Sequence, residues 1–444
     1  MAERRVEPRL LRGFRDYLPE EMIPRQRMLD TITDVFERHG FVPLATPALE
    51  YSEVVLGKYG AEAEKLLFRF TDNGGRDVCM RYELTISLAR VMAQYGNLPR
   101  PFKRYQIGPV WRAERPGHGR FREFTQCDVD IVGAGGVLAE YECLQVDYDV
   151  LTALGVGRFV IRASNRRFLD GLATMLALRD DEQKHAVGRT IDKLSGQGEA
   201  AVRDLLAEEA GLDAGQIDRV FGFLGIKGTN DEVLRRLRDY FAGVPEGLEG
   251  AATLDALLVC AKAGGIPDDV VQLDTSIIRG LDYYTGTVYE TFLLDMPGLG
   301  SVMSGGRYDG LMGIFTGQDV PAVGISVGID RLFAGLVEMG RVQAAASVAD
   351  VFVAVFDDAT APASIRAASD LRSRGIAAEV AVEGGRLGKQ LKFADRQGVP
   401  FALIIGPDEV AAGRMTLRDM KTGDQHPCVS ADEVADLIKA RKHG

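Results

Sequence analysis

The sequence predicts an α+β domain interrupted by a helical insertion and followed by a smaller α/β domain. Three observations lead there. Strand-like runs joined by turns fill the first third of the chain and return near residue 270. Between about 166 and 267, charge-rich segments with helical spacing (DEQKHAVGRTIDKL, EAAVRDLLAEEA, DEVLRRLRDYF) dominate, with no convincing strands. From residue 349 onward strands and helices alternate. A chain of 444 residues is too long for one ordinary core, so two or three domains are expected.

Each element has a local reason. After a polar, turn-like approach (LLRGFRDYLPEE), a helix is expected from Pro24, with Leu29, Ile32, Val35 and Phe36 on one face and His39-Gly40 ending it. FVPLATPALE reads as a strand, and its prolines, Pro43 and Pro47, cannot donate ladder hydrogen bonds, which puts it at an edge or where one sheet meets another subunit. Asn73-Gly74 between two β-prone runs predicts a hairpin within Phe68–Glu83, and a helix starts just after Glu83 and Thr85. Leu138–Leu154 has helical spacing, and RFVIRAS is a short strand. AVGISVGIDRLF combines an apolar strand, Gly328 and a helix start carrying Arg331, an arrangement suited to phosphate. A linker is expected at 338–348. In the α/β tail, Arg386, Lys389, Lys392 and Arg396 share one helix face. Such a stripe is ordinarily a solvated face, but the preceding Gly384-Gly385 and the otherwise acidic chain favour an RNA contact.

The stretch Lys103–Gly133 carries the chemistry. It reads as two strands joined by a basic turn containing Pro116-Gly117. On the return strand, alternation puts Cys127, Val129 and Ile131 on one face. Arg122, Phe124, Gln126, Asp128 and Asp130 fall on the other. An apolar back and a polar front carrying an aromatic ring, with arginines 112, 115, 120 and 122 crowding the turn, suit a nucleotide: the ring stacks and the guanidinium forks bind phosphate. Beyond it, Arg279, Asp282, Tyr283 and Tyr284 between Gly280 and Gly286 suggest a polar pocket wall. Gly305-Gly306 before Arg307 lets the backbone approach a ligand closely.

Composition limits the alternatives. Five scattered cysteines without CxxC spacing and five histidines without a ligand pair disfavour disulfides and a structural zinc site. The opening MAERRVEPRLLRGF is charged throughout, and runs such as PFALIIG are far short of a membrane span, so a cytoplasmic location is expected. A net charge of −11 argues against a general nucleic-acid coat and leaves room for a local basic patch.

With these residues in view, the chain resembles the class II aminoacyl-tRNA synthetases, and closely the histidyl-tRNA synthetase family. RGFRDYLPE resembles that family's N-terminal signature, and the first helix with the Pro47 strand resembles motif 1. VWRAERPGHGRFREF resembles motif 2 and GISVGIDRL motif 3. RGLDYYTG and SGGRYDGL resemble the two histidine-specific motifs, and LGKQLKFAD and IIGPDE the anticodon-binding domain.

The resemblance implies a catalytic domain over 1–337 built on an antiparallel sheet, with the insertion at about 166–267, and an anticodon-binding domain over 349–444. It implies ATP with Mg²⁺, L-histidine and tRNA-His as partners, and a homodimer formed through motif 1. Glu83, Thr85 and Gln126 would hold the α-amino group. Asp130 and Tyr284 would read the imidazole nitrogens, with Tyr283 beside them, and Arg112 would bridge the amino-acid carboxylate and the α-phosphate. Glu114 would bind the adenine amino group and Phe124 would stack on the base. Arg120 and Arg331 would hold the outer phosphates, and Arg279 would lie at the α-phosphate as a catalytic residue with Arg112. Two neighbouring readings remain: a histidine-binding regulatory subunit of ATP phosphoribosyltransferase, and a histidyl-adenylate-forming relative that charges something other than tRNA.

Overall fold

The computed structural model describes residues 6–57, 64–116, 121–277, 284–342 and 344–442. Contacts divide the chain into two compact units, one containing Leu29–Arg341 with the first residues, the other Asp16–Met28 with Val342–Gly444.

The strands of the first unit, in chain order, are β1 (Val42–Pro43), β2 (Leu49–Tyr51), β3 (Arg69–Thr71), β4 (Asp77–Met80), β5 (Phe102–Trp111), β6 (Glu123–Val132), β7 (Phe159–Asn165), β8 (Val271–Leu273), β9 (Thr287–Leu293), β10 (Ser301–Arg307) and β11 (Ala322–Val327). Eight of them form one sheet in the order β1-β5-β6-β11-β10-β9-β7-β8. Its interior from β5 to β7 is antiparallel throughout, and only the two edge pairs, β1 with β5 and β7 with β8, are parallel. The other three strands make a small antiparallel sheet, β2-β4-β3.

The β5–β6 hairpin is the longest pairing, with register from Phe102↔Val132 to Trp111↔Glu123. Alternation along β6 sorts its side chains as the sequence predicts. Cys127, Val129 and Ile131 are buried on the back, and the helix Val137–Ala153 also lies behind the sheet. That helix is held by two buried acids. Glu140 accepts from the Thr287 hydroxyl at 2.6 Å and from Arg307 at 2.5 Å. Asp147 accepts from the Thr291 hydroxyl at 2.6 Å, and burial pushes its carboxyl up to about 7. Between β7 and β8, helices follow one another from Arg167–Met175 to Pro245–Ala263, with Phe168, Phe223 and Phe241 packed ring to ring at their centre.

Two expectations need correction, and the expected hairpin of β3 with β4 forms. The first helix runs Pro19–Arg38, starting five residues earlier than expected, with Pro24 inside it. FVPLATPALE is two short strands in different sheets: β1 pairs with β5 at the edge, and the chain then crosses to pair β2 with β4. The two prolines, each lacking an N–H, prevent one continuous ladder. The hairpin turn spans Asp72–Arg76, and the residue with positive φ is Gly75 (+78°), one position beyond Asn73-Gly74.

The second unit holds β12 (Val351–Val353), β13 (Ala378–Val380), β14 (Phe401–Ile404), β15 (Met415–Asp419) and β16 (Gln425–Cys428), in the order β13-β12-β14-β15-β16. The β13-β12-β14 part is parallel and the rest antiparallel. Two elements go beyond the expected alternation, the short helix Pro407–Ala412 and the edge strand β16.

Candidate active site

The front of the large sheet is built from register pairs. Across it stand Arg104 and Gln106 on β5, Gln126, Asp128 and Asp130 on β6, and Gly324 and Ser326 on β11. Ser304 and Gly306 on β10 and Glu290 on β9 complete the face. A cavity of about 320 Å³ opens above this surface, lined among others by Glu83, Thr85, Arg112, Gln126, Asp128, Asp130 and Tyr284. A second cavity of about 260 Å³ adjoins it, lined by Glu114, Phe121, Ser301, Asp330 and Arg331. Arg112, Phe124, Thr125, Ser304, Ser326 and Gly328 line both, so the two spaces meet across β6, β11 and β10.

Glycines make the floor. A β-carbon at Gly324 would fall on the Asp130 carboxylate, and one at Gly306 would press on the Thr287 carbonyl and the Tyr284 ring. Only the absence of a side chain lets those two groups lie flat over the sheet.

Glu83 is buried, and one of its oxygens accepts from the Ile86 amide at 3.0 Å, capping the helix Thr85–Gln94 while the residue lines the cavity. One side chain thus serves both the helix start and the pocket wall. Arg112 lies between two rings, its guanidinium carbon 4.4 Å from the centroid of Tyr82 and 5.0 Å from that of Phe124. Its Nε donates to the Tyr82 carbonyl at 3.3 Å. The Gln126 side-chain oxygen is buried with no hydrogen-bond partner among the described residues, an acceptor available to a ligand N–H.

At the deep end Asp130 pairs with Arg104 at 2.7 Å and accepts from the Tyr308 hydroxyl. Burial raises its carboxyl, with Arg104 opposing the shift. Asp128, beside it, is pushed up to about 7, again mainly by burial. In the second cavity Arg331 donates to the Ser301 carbonyl at 2.5 Å, and Asp330 accepts from the Thr125 amide at 3.0 Å. The start of the helix Ile329–Glu338 is thereby tied to the strand carrying Phe124 and Gln126.

The structure thus brings Glu83, Thr85, Arg112, Glu114, Phe124, Gln126, Asp130, Tyr284 and Arg331 around two connected cavities. Arg120, Arg279 and Tyr283 lie outside the described residues. Arg386, Lys389, Lys392 and Arg396 are exposed on the second unit, with Gln390 and Ala394 buried on the opposite helix face. Arg122, grouped by sequence with the phosphate-binding arginines, instead donates to the Glu114 carbonyl at 3.1 Å and the Arg12 carbonyl at 3.4 Å. Sequence reasoning passed over Arg104, Asp128, Tyr308 and Gly324. Alternation had put Asp128 on the correct face, and Tyr308 and Gly324 lie inside SGGRYDGL and GISVGIDRL without being singled out there, while nothing local marked Arg104.

An antiparallel sheet with a polar cavity on one face, bordered by a basic hairpin and a glycine-led helix, is the core of a class II aminoacyl-tRNA synthetase. Comparison narrows the class. A family model described as histidyl-tRNA synthetase matches residues 13–332, and one described as anticodon binding domain matches 350–441. The histidine–tRNA ligase of Rhodopirellula baltica is 42% identical over 434 residues, covering 98% of each chain. That of Wolinella succinogenes is 41% identical over 437 residues, again covering 98% of each. The crystal structure of histidyl-tRNA synthetase from Nostoc sp. PCC 7120 superposes with a TM-score of 0.89 at 34% identity, covering 98% of this chain and all of that one. The chain belongs to the histidyl-tRNA synthetase family.

Proposed function

We propose that this histidine–tRNA ligase activates L-histidine in the deeper cavity with ATP bound in the adjoining one, then transfers the histidyl group to the 3′-terminal adenosine of tRNA-His. The observation that carries this reading is the junction of the two cavities at Arg112 and Phe124. Two substrates that must react with each other need a shared wall, and a cation there serves both.

In this reading Glu83, Thr85 and Gln126 hold the α-ammonium group. Asp130 and Tyr284, with Tyr283, hold the ring. An imidazole with one donor and one acceptor is then distinguished from apolar rings of similar shape, which would leave buried polar groups unmatched. Glu114 takes the adenine amino group, Phe124 stacks on the base, and Arg120 and Arg331 hold the outer phosphates. The histidine carboxylate oxygen attacks the α-phosphorus; the new O–P bond forms as the bond to pyrophosphate breaks. Arg112 and Arg279 neutralise the charge that builds there, which is electrostatic and positional catalysis without a protein nucleophile. The terminal ribose hydroxyl then attacks the activated carbonyl, and AMP leaves. Mg²⁺ enters only as the companion of ATP. Among the described residues no group of three His, Cys, Asp or Glu side chains is arranged to hold a metal, and no step is assigned to it.

We further assign residues 1–337 to catalysis, with the insertion at about 166–267, and 349–444 to anticodon binding. Arg386, Lys389, Lys392 and Arg396 face the RNA, and the enzyme works as a homodimer through its motif 1 region in the cytoplasm. Among the described residues no helix is long and apolar enough to cross a membrane. Histidine-dependent ATP–pyrophosphate exchange tests the first step, and charging of total tRNA with labelled histidine tests the second. Exchange without charging points to an acceptor other than tRNA, and absence of both overturns the reading.

A further inference from the structure

We propose that Arg104 is a positioning residue for amino-acid recognition: it never touches the substrate, and it keeps Asp130 ionised and fixed so that the carboxylate accepts from the substrate ring. The proposal rests on the reading of Asp130 as the ring acceptor.

Among the described residues Arg104 is the largest fully buried side chain, at 0% exposure. It stands opposite Asp130 in the β5–β6 register, and its Nη2 lies 2.7 Å from Asp130 Oδ2. Besides this ion pair it makes a long hydrogen bond, 3.5 Å, to the Leu84 carbonyl, and its Nε and Nη1 have no hydrogen-bond partner among the described residues. Asp130 lines the cavity; Arg104 does not. The guanidinium therefore sits beneath the binding surface, reaching it through one carboxylate.

Asp130 needs such a partner. It is buried, with Asp128 next to it on the same strand face and the Glu83 carboxylate facing it from the turn before the helix Thr85–Gln94. The Cys143 thiol lies on the helix behind the sheet, and the Tyr308 hydroxyl donates to its other oxygen. Burial and the Glu83 carboxylate favour the protonated form; Arg104 is the main group that opposes them, helped by the Tyr308 hydroxyl. A protonated Asp130 would present a donor where the ring presents one, and the match to imidazole would be lost.

Arg104→Met tests this in ATP–pyrophosphate exchange. The expected result is a histidine KM raised on the order of 10–100-fold at neutral pH, as when a buried polar partner goes unmatched. The ratio of variant to wild-type KM should fall as pH rises and Asp130 ionises unaided, with ATP KM nearly unchanged. Arg104→Lys, which keeps the charge, should recover most of the affinity. A histidine KM equal to wild type, or a loss that is independent of pH and shared by ATP, would overturn the proposal and leave Arg104 a structural group. Where Arg104→Met fails to fold, Arg104→Gln is held to the same outcomes. A wild-type enzyme showing no histidine-dependent exchange would instead remove the reading of the pocket itself.

Discussion

Gly324 lies opposite Asp130 in the pairing of β11 with β6, and the Asp130 carboxylate occupies the space that a β-carbon at position 324 would take. Gly324→Ala must push the carboxylate aside or spread two central strands. A displacement of about 1 Å at a recognition group costs roughly 100-fold. The variant should therefore show a histidine KM raised 10- to 100-fold by that same estimate, with ATP KM changed far less. Equal effects on both substrates would mean that the sheet itself has opened.

Behind the sheet, Glu140 and Arg307 form a buried pair, their side chains 3% and 8% exposed. Glu140 also holds the Thr287 hydroxyl, and its backbone carbonyl accepts from the Tyr289 hydroxyl at 3.1 Å. Arg307 belongs to the stretch SGGRYDGL, yet it points away from the cavity and anchors the strand whose next residue, Tyr308, reaches Asp130. Removing one charge from a buried pair costs about 3–5 kcal/mol when the other is left unmatched, an upper bound here because Arg307 also pairs with Asp309 at 3.2 Å. Glu140→Gln should lower unfolding free energy by that order in denaturant titration. Replacing the exposed pair Arg158–Asp295 on the same sheet should cost less than about 1 kcal/mol.

A third prediction concerns pH. His39 bridges Glu142 at 3.1 Å and Asp149 at 2.9 Å, joining the end of the helix Pro19–Arg38 to the helix Val137–Ala153. The Glu142 hydrogen bond is the main cause of its pKa rising above 6.5, against an opposing effect of burial. A raised folded pKa contributes stability that is fully present below 6.5 and is lost as pH rises through the folded value. Glu142, lowered to about 2 chiefly by its bond to His39, contributes in the opposite sense: its share is present above 4.5 and lost as pH falls toward 2. Thermal melts should show wild-type stability declining as pH rises from 6.5 through the raised folded value of His39, and His39→Gln should abolish that decline. An unchanged profile in the variant would discount the bridge.

The parts of this site that could be read from sequence were those obeying a local rule. Period-two alternation is a backbone property, so Phe124, Gln126, Asp128 and Asp130 could be put on one face before any partner was known. Arg104 obeys no such rule. In KRYQIG it is one residue of a strand, and its burial depends on the register that sets it against Asp130, 26 residues away once the turn is closed. Nothing in the helix sequence marks Glu140 and Asp147, because their partners Arg307, Thr287 and Thr291 lie more than 140 residues further along. Arg122 misled for a related reason: its charge suggested phosphate, while its reach is taken up by two backbone carbonyls. Local chemistry marked the ligand-facing groups, and tertiary pairing decided which charged groups stand behind them.

The last prediction separates the two halves of the reaction. Arg386, Lys389, Lys392 and Arg396 present an exposed basic face on the helix Leu387–Arg396, whose buried side carries Gln390 and Ala394. Contacts to phosphate position RNA without reading its sequence, and each is paid back by counterion release, so binding weakens with salt. Lys389→Glu with Lys392→Glu should raise the tRNA KM in aminoacylation by about tenfold and reduce the dependence on salt by roughly one unit of slope per lysine. Neither side chain lines the cavities around Arg112, so histidine-dependent ATP–pyrophosphate exchange should stay at the wild-type rate. A double variant with normal charging at raised salt would show that this face is only solvated, and one that loses exchange as well would point to damage of the fold and not of the RNA contact.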